Sequence, residues 1–345
     1  MRASRTSLAL LVAAALVGVA GCGGPSDSDS ETASKSGGEG QFPLTVEHAL
    51  GKTTIESRPE RVATVNWAND EVPLALGVVP VGMAKATFGD DDDDGILPWT
   101  KERLEELDAE TPVLFDETDG IDFEAVADTE PDVILAAYSG LTEKDYKTLS
   151  DIAPVVAYPD GPWATSWRES IELNSKAIGR AEDGEKLIGR LEKQIATTVA
   201  KYPELKGKSA MFMTHVDPGD VSEVGFYTAH DTRAKFFEDL GLKTPGSIAK
   251  KSEGTDKFAL SQSAERIDVF DDVDIITGYG DGKDLVKIFQ KDPLLSKVPA
   301  IDRGSIYLLP NGTPLSTAAN PTPLSLSWVL EDYVAALAKA AEKVK

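Results

Sequence analysis

Aromatic and polar side chains recur where the predicted strands of this sequence end. Ligands of open α/β sheets bind outside the carboxyl ends of the strands, so the residues that follow each strand are the candidates for chemistry. In the first half of the chain they are Trp67, Asn69, Thr87, Phe88, Tyr138, Ser139, Tyr158 and Trp163. In the second half they are His215, Asp217, Tyr227, His230, Arg233, Tyr279 and Asn311. Each aromatic residue alone could equally close one end of the core, but their repetition at strand ends predicts a cleft for a bulky ligand.

A metal site is the first alternative for the polar members of this set. His215, His230, Asp217 and Asp231 could surround an ion, but the chain has only three His and these residues lack a fixed ligand spacing. We therefore expect no direct metal ligation. The acidic run 90–94 before Gly95 lacks the alternating ligands and terminal Glu of a calcium loop, so we interpret it as a solvated loop.

Enzymatic motifs are the second alternative. Gly278, Gly280 and Gly282 follow a predicted strand, yet their spacing is not that of a phosphate loop, and Asp281 stands where an anion would approach. The chain has no G-x-S-x-G nucleophile elbow. We expect a protein that is not an enzyme and has no cofactor; an exported metal-dependent enzyme built around His215, Asp217 and His230 is the competing hypothesis.

A helical block in the middle of the chain separates two regions of alternating strands and helices. Ser166 and Glu169 form a capping-box pattern, and apolar residues then recur at helical spacing up to Gly179 and again from Leu187 to Val199. Pro203 ends the block. The alternation predicts an α/β protein with two Rossmann-like lobes, each with a mainly parallel sheet, joined by a helical spine. The predicted lobes span residues 42–165 and 204–345, and the spine spans 166–203.

The two lobes contain one matching segment. Phe123–Ile134 and Ala264–Ile275 each place a Glu ten residues before an apolar strand position, and the two copies are 141 residues apart. Glu124 and Glu265 are therefore predicted to occupy equivalent, exposed positions at the start of a helix.

The first 41 residues are predicted to lie outside both lobes. Arg2 and Arg5 precede an apolar run of 13 residues, too short for a membrane span, so residues 1–21 are interpreted as a secretory signal. Cys22, the only cysteine, follows at the boundary, where lipidation is its obvious use. Residues 22–41 would then form a lipidated, Gly- and Ser-rich tether that reaches about 25 Å.

The charge of the chain limits its partners. Without Arg2 and Arg5, 33 basic and 58 acidic residues remain, a net charge of −25. Nucleic acid and anionic lipid surfaces are therefore not expected to bind the folded body. We expect a monomer.

An ordered series of motifs resembles the bacterial periplasmic-binding-protein family for ferric siderophores. Val19–Cys22 resembles a lipobox, and the series continues with TVEHALGKTTIESRPERVATV, ALGVVPVG, EPDVILAAYSG, LSDIAPVV and YPELKGKSA. The resemblance implies a class III fold, with a single long helix between the lobes and a shallow cleft. It also implies a lipoprotein on the outer face of the cell membrane that delivers ferric siderophore to an importer of the ATP-binding-cassette type. Members of the family also bind cobalamin and haem, so these ligands remain alternatives.

Three narrower expectations follow from this resemblance. The acidic chain and the single Arg in the strand-end set predict hydroxamate chelates, neutral or cationic, over triply anionic catecholates. One helical connection predicts a small closure on ligand. The family uses one Glu per lobe to pair with arginines of the permease subunits, and Glu124 and Glu265 match that pattern.

Overall fold

The computed structural model describes residues 40–345. The predicted signal, Cys22 and nearly all of the predicted tether lie outside the described residues. The chain enters the fold through an antiparallel hairpin around Gly51. The hairpin strands are β1 (Leu44–His48) and β2 (Gly51–Ile55).

The N-terminal lobe is a five-stranded, fully parallel sheet in the order β5-β4-β3-β6-β7. Its strands are β3 (Val62–Thr64), β4 (Gly82–Ala84), β5 (Val113–Phe115), β6 (Val133–Leu135) and β7 (Val155–Val156). Its helices are α1 (Glu71–Ala75), α2 (Pro98–Glu106), α3 (Phe123–Asp128) and α4 (Glu143–Ser150). β6 is buried along its whole length, as expected for a strand covered on both faces.

Two helices connect the lobes. α5 (Trp167–Ala177) begins at the predicted capping box of Ser166 and Glu169 and ends beside Gly179, whose φ of +68° suits a residue without a Cβ. The longer α6 (Ala181–Val199) follows.

The C-terminal lobe is a five-stranded mixed sheet in the order β10-β9-β8-β11-β12. Its strands are β8 (Ala210–Met213), β9 (Glu223–Tyr227), β10 (Ala259–Ser263), β11 (Ile275–Tyr279) and β12 (Ile306–Leu309). β8, β11 and β12 are parallel neighbours, whereas β9 is antiparallel to both of its neighbours. Its helices are α7 (Thr232–Asp239), α8 (Gly246–Ser252), α9 (Gly282–Lys291), α10 (Pro299–Asp302), α11 (Pro314–Ala318) and α12 (Ser325–Ala341).

One hydrophobic core runs through both lobes. Val72 and Trp99 of the N-terminal lobe, Trp167 of α5, and Phe212 and Tyr333 of the C-terminal lobe belong to the same buried cluster. α12 turns Val329, rather than Trp328, toward this core. The lobes are therefore joined by packing as well as by chain connection.

Candidate functional site

An aromatic cavity of about 320 Å³ lies between the two sheets and is here called the aromatic chamber. It is lined by Trp67, Phe88, Tyr138, Trp163, His215, Tyr227, Arg233, Phe258, Tyr279, Thr317 and Asn320. Trp67, Tyr138 and Tyr279 lie at or just beyond the carboxyl ends of β3, β6 and β11. The chamber therefore occupies the place that an open α/β sheet offers to a ligand.

Arg233 is the one basic side chain in the lining of the aromatic chamber. Its Nε and Nη2 donate to the two carboxylate oxygens of Asp231, at 2.8 and 2.7 Å, in a bidentate pair. Its guanidinium lies 3.7 Å from the ring centre of Tyr227, and Nη1 donates to the Tyr279 hydroxyl at 3.3 Å. Because Asp231 is fully buried and neutralises the guanidinium, the chamber offers N–H donors with almost no net charge.

The phenols of the chamber are held as neutral donors. Burial raises the pKa of the Tyr138, Tyr227 and Tyr279 hydroxyls. Asn320 Nδ2 donates to the Tyr138 hydroxyl at 3.2 Å, and Thr232 donates to the Asn320 carbonyl oxygen. Tyr138 belongs to the N-terminal lobe, whereas Asn320 and Thr232 belong to the C-terminal lobe. These hydrogen bonds therefore link the two lobes across the chamber.

One wall of the chamber is a stack that also crosses the lobes. His215 lies parallel to Tyr279 with ring centres 4.7 Å apart, and Phe88 of the N-terminal lobe meets both rings edge-on. His215 Nδ1 lies 2.9 Å from Asn311 Oδ1, which fixes the imidazole plane. A bulky ligand would meet rigid aromatic faces here.

A second cavity, of about 300 Å³, adjoins the aromatic chamber, and both are lined by Trp67 and Trp163. Its ionisable lining residues are Asp70, Lys85 and Glu117, and it is here called the acidic chamber. Thr87 lines this cavity. The Glu117 carboxylate accepts from Asn66 N and Nδ2, and burial raises the pKa of Glu117.

The loops that carry the two tryptophans adopt strained backbone conformations. Asn66, Ala68 and Trp163 have φ near +60°, which non-glycine residues rarely adopt. Gly140 permits the Trp163 position, because a Cβ there would lie 2.4 Å from the indole nitrogen. Such strain is typical of positions that the surrounding structure holds for binding.

Six of the residues selected from the sequence lie outside both linings. One of them, Asp217, is exposed, and its carboxylate accepts a hydrogen bond from Gly219 N in its own loop. Asn69 is buried and bonds the carbonyl oxygens of Val65 and Tyr138, so it ties β3 to β6. Tyr158 donates to the Leu141 carbonyl within the core, and Ser139 is fully buried. His230 bonds the Ser252 carbonyl, and Asn311 contacts His215. The hydrogen bonds of Asn69, Tyr158, His230 and Asn311 therefore support the strand ends or the loops around the chamber.

Three residues that line the aromatic chamber were not selected from the sequence. Phe258 precedes β10, which sequence patterning did not predict, and its exposed ring stacks on Tyr227. Thr317 and Asn320 lie in and after α11, a five-residue helix. The segment NGTPLSTAANPTP that carries them has a turn-like composition, which gives no sign that it folds over the chamber.

Metal-ligating groups come together at one place among residues 40–345. Carboxylate oxygens of Asp90, Asp92 and Asp94 lie within 4.8 Å of one another. Lys101 Nζ contacts Asp92 at 2.6 Å and Asp94 at 2.5 Å, so a side-chain cation already offsets this cluster. Asp231, by contrast, forms an ion pair with Arg233, and His230 Nε2 bonds the Ser252 carbonyl oxygen.

Glu124 and Glu265 are equivalent in the topology. Each is exposed and lies in the first turn of a helical segment, α3 and the 3₁₀ segment Ala264–Phe270, respectively. Each segment follows the strand at the first position of its sheet, β5 or β10, and leads into the strand at the fourth position, β6 or β11. Neither residue lines a chamber.

The described part of the chain, residues 40–345, contains no helix with both the length and the apolar character needed to cross a membrane.

Two similar lobes joined by helices, with an aromatic chamber between the strand ends, define a two-lobed binding protein. The model of the Periplasmic binding protein family matches residues 62–313, and the chain belongs to this family. A similar solved structure is that of PiaA from Streptococcus pneumoniae TIGR4 in complex with ferrichrome. It is 44% identical, with a TM-score of 0.83, and the match covers 87% of this chain and 99% of that chain.

Two curated relatives come from Bacillus subtilis (strain 168). The "Probable siderophore-binding lipoprotein YfiY" is 27% identical over 58% of this chain, and the match spans 62% of that protein, less than two thirds of its length. The "Fe(3+)-citrate-binding protein YfmC" is 23% identical over 87% of each chain. The family-level prediction from the sequence motifs and the predicted α/β fold are thus confirmed.

Proposed function

We propose that this chain is a lipid-anchored substrate-binding protein that captures a ferric siderophore of the hydroxamate type and delivers it to an ATP-binding-cassette iron importer. Three relatives support the class of ligand, since their names refer to ferrichrome, a siderophore and ferric citrate. The lipoprotein name of one relative and the Cys22 boundary support the anchor.

The ion pair of Arg233 and Asp231 is the main reason to propose a hydroxamate ligand, because its two charges cancel. A ferric trihydroxamate has no net charge at its metal centre, whereas a tricatecholate carries three negative charges. An anion of that charge would need several unpaired cations, and the one guanidinium in the lining is already bonded to a carboxylate. Two guanidinium N–H groups are not used by Asp231 or Tyr279, and these can donate to the oxygens of a neutral chelate.

A fluorescence titration tests this function. Trp67 and Trp163 line the aromatic chamber, so a bound ferric chelate would quench their emission. We expect saturable quenching by ferrichrome and by ferrioxamine B, a linear trihydroxamate, and none by the iron-free chelators at the same concentration. Gallium complexes, measured by calorimetry, separate binding from optical artefacts.

The competing ligands are further arms of the same experiment. Ferric citrate, a ferric tricatecholate, haem and cobalamin are titrated under identical conditions. Tight binding of the tricatecholate, haem or cobalamin without binding of either trihydroxamate would overturn the proposal. Loss of a catalytic activity on chelation of a protein-bound metal, without any quenching, would favour the enzyme hypothesis instead.

A further inference from the structure

The acidic chamber is not explained by the capture of a neutral iron centre. It adjoins the aromatic chamber through Trp67 and Trp163, and its volume of about 300 Å³ is similar. Its lining contains three ionisable side chains, Asp70, Lys85 and Glu117, whereas that of its neighbour is mainly aromatic. A ligand that fills the aromatic chamber could therefore extend a substituent past the two indoles.

Asp70 is the least satisfied carboxylate in this chamber. It occupies the residue before α1, yet its side chain does not cap the helix. Thr100 Oγ1 lies 3.5 Å from the Asp70 carboxylate, at the outer limit of a hydrogen bond. Burial raises the pKa of Asp70, because the ionised group lacks the compensation that water would provide.

Glu117 supplies a second acidic group with a fixed position. Its carboxylate is held by the backbone and side-chain nitrogens of Asn66, which precedes Trp67. Lys85 is the one cation in the lining, and its side chain is exposed. Asp116, an exposed neighbour, interacts electrostatically with Lys85. The lining of the acidic chamber therefore holds two carboxyl groups and one ammonium, so its acidic side chains outnumber its basic one.

We propose that the acidic chamber binds a cationic substituent, such as a primary ammonium, on a ferric chelate whose metal centre fills the aromatic chamber. The inference rests on the proposed function and narrows it to siderophores that carry an amine. A ligand ammonium would be attracted by the partly buried carboxylates of Asp70 and Glu117. This attraction is stronger in a partly desolvated cavity than on an open surface. Selectivity would then come from the substituent rather than from the iron centre.

A matched pair of ligands isolates this contribution. Ferrioxamine B ends in a primary ammonium, and its N-acetyl derivative has the same iron centre without the charge. We expect wild-type protein to bind the amine form about tenfold more tightly than the acetylated form at about pH 7.5, equal to about 1.4 kcal/mol. Equal affinity for the two forms would overturn the proposal.

Two variants, one that removes a negative charge and one that removes a positive charge, make the test specific. Asp70→Asn keeps the shape and the Thr100 contact but removes the charge, so the preference should fall to about twofold or less while affinity for the acetylated form stays unchanged. Lys85→Met, at an exposed position, should increase the preference. An equal loss for both ligands in Asp70→Asn, at unchanged melting temperature, would indicate a purely structural role and contradict the proposal. Should Asp70→Asn fail to fold, an unchanged preference in Lys85→Met would contradict it.

The outcomes also separate this proposal from the function on which it rests. If both ligands bind tightly without preference, siderophore capture stands and the ammonium site fails. If neither ligand binds while another ferric chelate does, the hydroxamate assignment fails, and the ammonium site fails with it.

Discussion

The carboxylate of Glu71, in the first turn of α1, accepts a hydrogen bond of 2.9 Å from the backbone N–H of Leu324, at the start of α12 in the opposite lobe. Its other oxygen accepts from Trp99 Nε1 at 2.7 Å. Glu71 is 1% exposed. A buried acid thus joins the N-terminal lobe to the N-terminus of the last helix, where backbone N–H groups lack helical partners.

This arrangement predicts a distinctive dependence of stability on pH. Burial, followed by the charge of Asp70, raises the pKa of Glu71 to about 7, although hydrogen bonds with Thr322, Leu324 and Trp99 oppose the rise. Because the pKa of Glu71 is raised in the folded state, the stability that Glu71 contributes is fully present below its unfolded pKa. This stability is lost as the pH rises through about 7.

The comparison with Glu71→Gln isolates this group. The acidic chain as a whole also loses repulsion on acidification, so a rise in melting temperature of the wild type alone decides nothing. We expect the wild type to gain more stability than Glu71→Gln between about pH 8 and about pH 5, measured by thermal unfolding. Parallel curves for the two proteins would show that Glu71 does not titrate in this range.

A second prediction concerns Asp231 and ligand charge. Asp231→Asn keeps the hydrogen-bond acceptor at the start of α7 but leaves the Arg233 charge without its anion. We expect affinity for ferric citrate, an anion, to rise about tenfold relative to that for a neutral trihydroxamate. Removing one partner of a buried pair should also destabilise the fold, by up to about 3 kcal/mol.

The chain provides a matched control for this variant. Arg168 and Asp239 form another bidentate pair, with Nη1 and Nη2 at 3.0 and 2.9 Å from the carboxylate, outside the chamber linings. Asp239→Asn should lower stability without changing the order of ligand affinities. A change of ligand preference in Asp239→Asn equal to that in Asp231→Asn would refute the role of chamber charge.

Motion on binding is expected to be small. α5 and α6 connect the lobes, a common hydrophobic core runs through both, and the network of Tyr138, Thr232 and Asn320 crosses between them. Small-angle scattering should therefore give nearly the same radius of gyration with and without ferric chelate. A decrease typical of hinge closure in two-lobed proteins would contradict this expectation.

The two lobes, and several aromatic residues that line the cavity between them, could be predicted from the sequence because their signals are local. The apolar run that became β6, the capping box at Ser166 and the spacing of Glu124 and Glu265 from their strands each depend on a few neighbouring residues. Asn69 shows the limit of this reasoning. Asn69 follows a strand end, as a ligand-binding residue would, but a side-chain amide can equally well bond backbone groups. Here its Nδ2 donates to the Tyr138 carbonyl oxygen, and its Oδ1 accepts from the Tyr138 N–H.

The remaining lining depends on contacts between distant parts of the chain. Asn320 reaches Tyr138 across 182 positions, and Glu71 reaches Leu324 across 253. β10 has the sequence ALSQS, in which every residue except Gln262 is exposed or half-buried. This pattern reflects its position at the edge of the sheet, which the periodicity of the sequence does not indicate. Such relationships follow from tertiary packing, which outweighs local preference.

The predicted anchor can be tested without reference to ligand. Cys22→Ser should leave the folded body unchanged, because Cys22 precedes residues 40–345, which contain both chambers. We expect the wild type to partition into detergent and its mature N-terminal peptide to carry acyl chains by mass spectrometry. The variant should be released into the medium or periplasm; retention of Cys22→Ser in the membrane fraction would show that another feature anchors the chain.

Docking on the importer is the function that Glu124 and Glu265 are predicted to serve. Both are exposed and follow the edge strands β5 and β10, so a partner with two matching arginines could contact one lobe with each subunit. Arg–carboxylate pairs can be bidentate, and two pairs set apart would fix the orientation of the whole body. Because neither residue lines a chamber, ligand affinity should be insensitive to both.

The test compares two double variants in cells. Glu124→Ala with Glu265→Ala should reduce uptake of labelled ferric hydroxamate about tenfold or more, each single variant less, with purified-protein affinity and melting temperature nearly unchanged. Glu105→Ala with Glu238→Ala removes one exposed glutamate per lobe from α2 and α7 and should transport normally. Normal uptake in the first double variant, or an equal defect in the second, would mean that these two positions do not orient the protein on its permease.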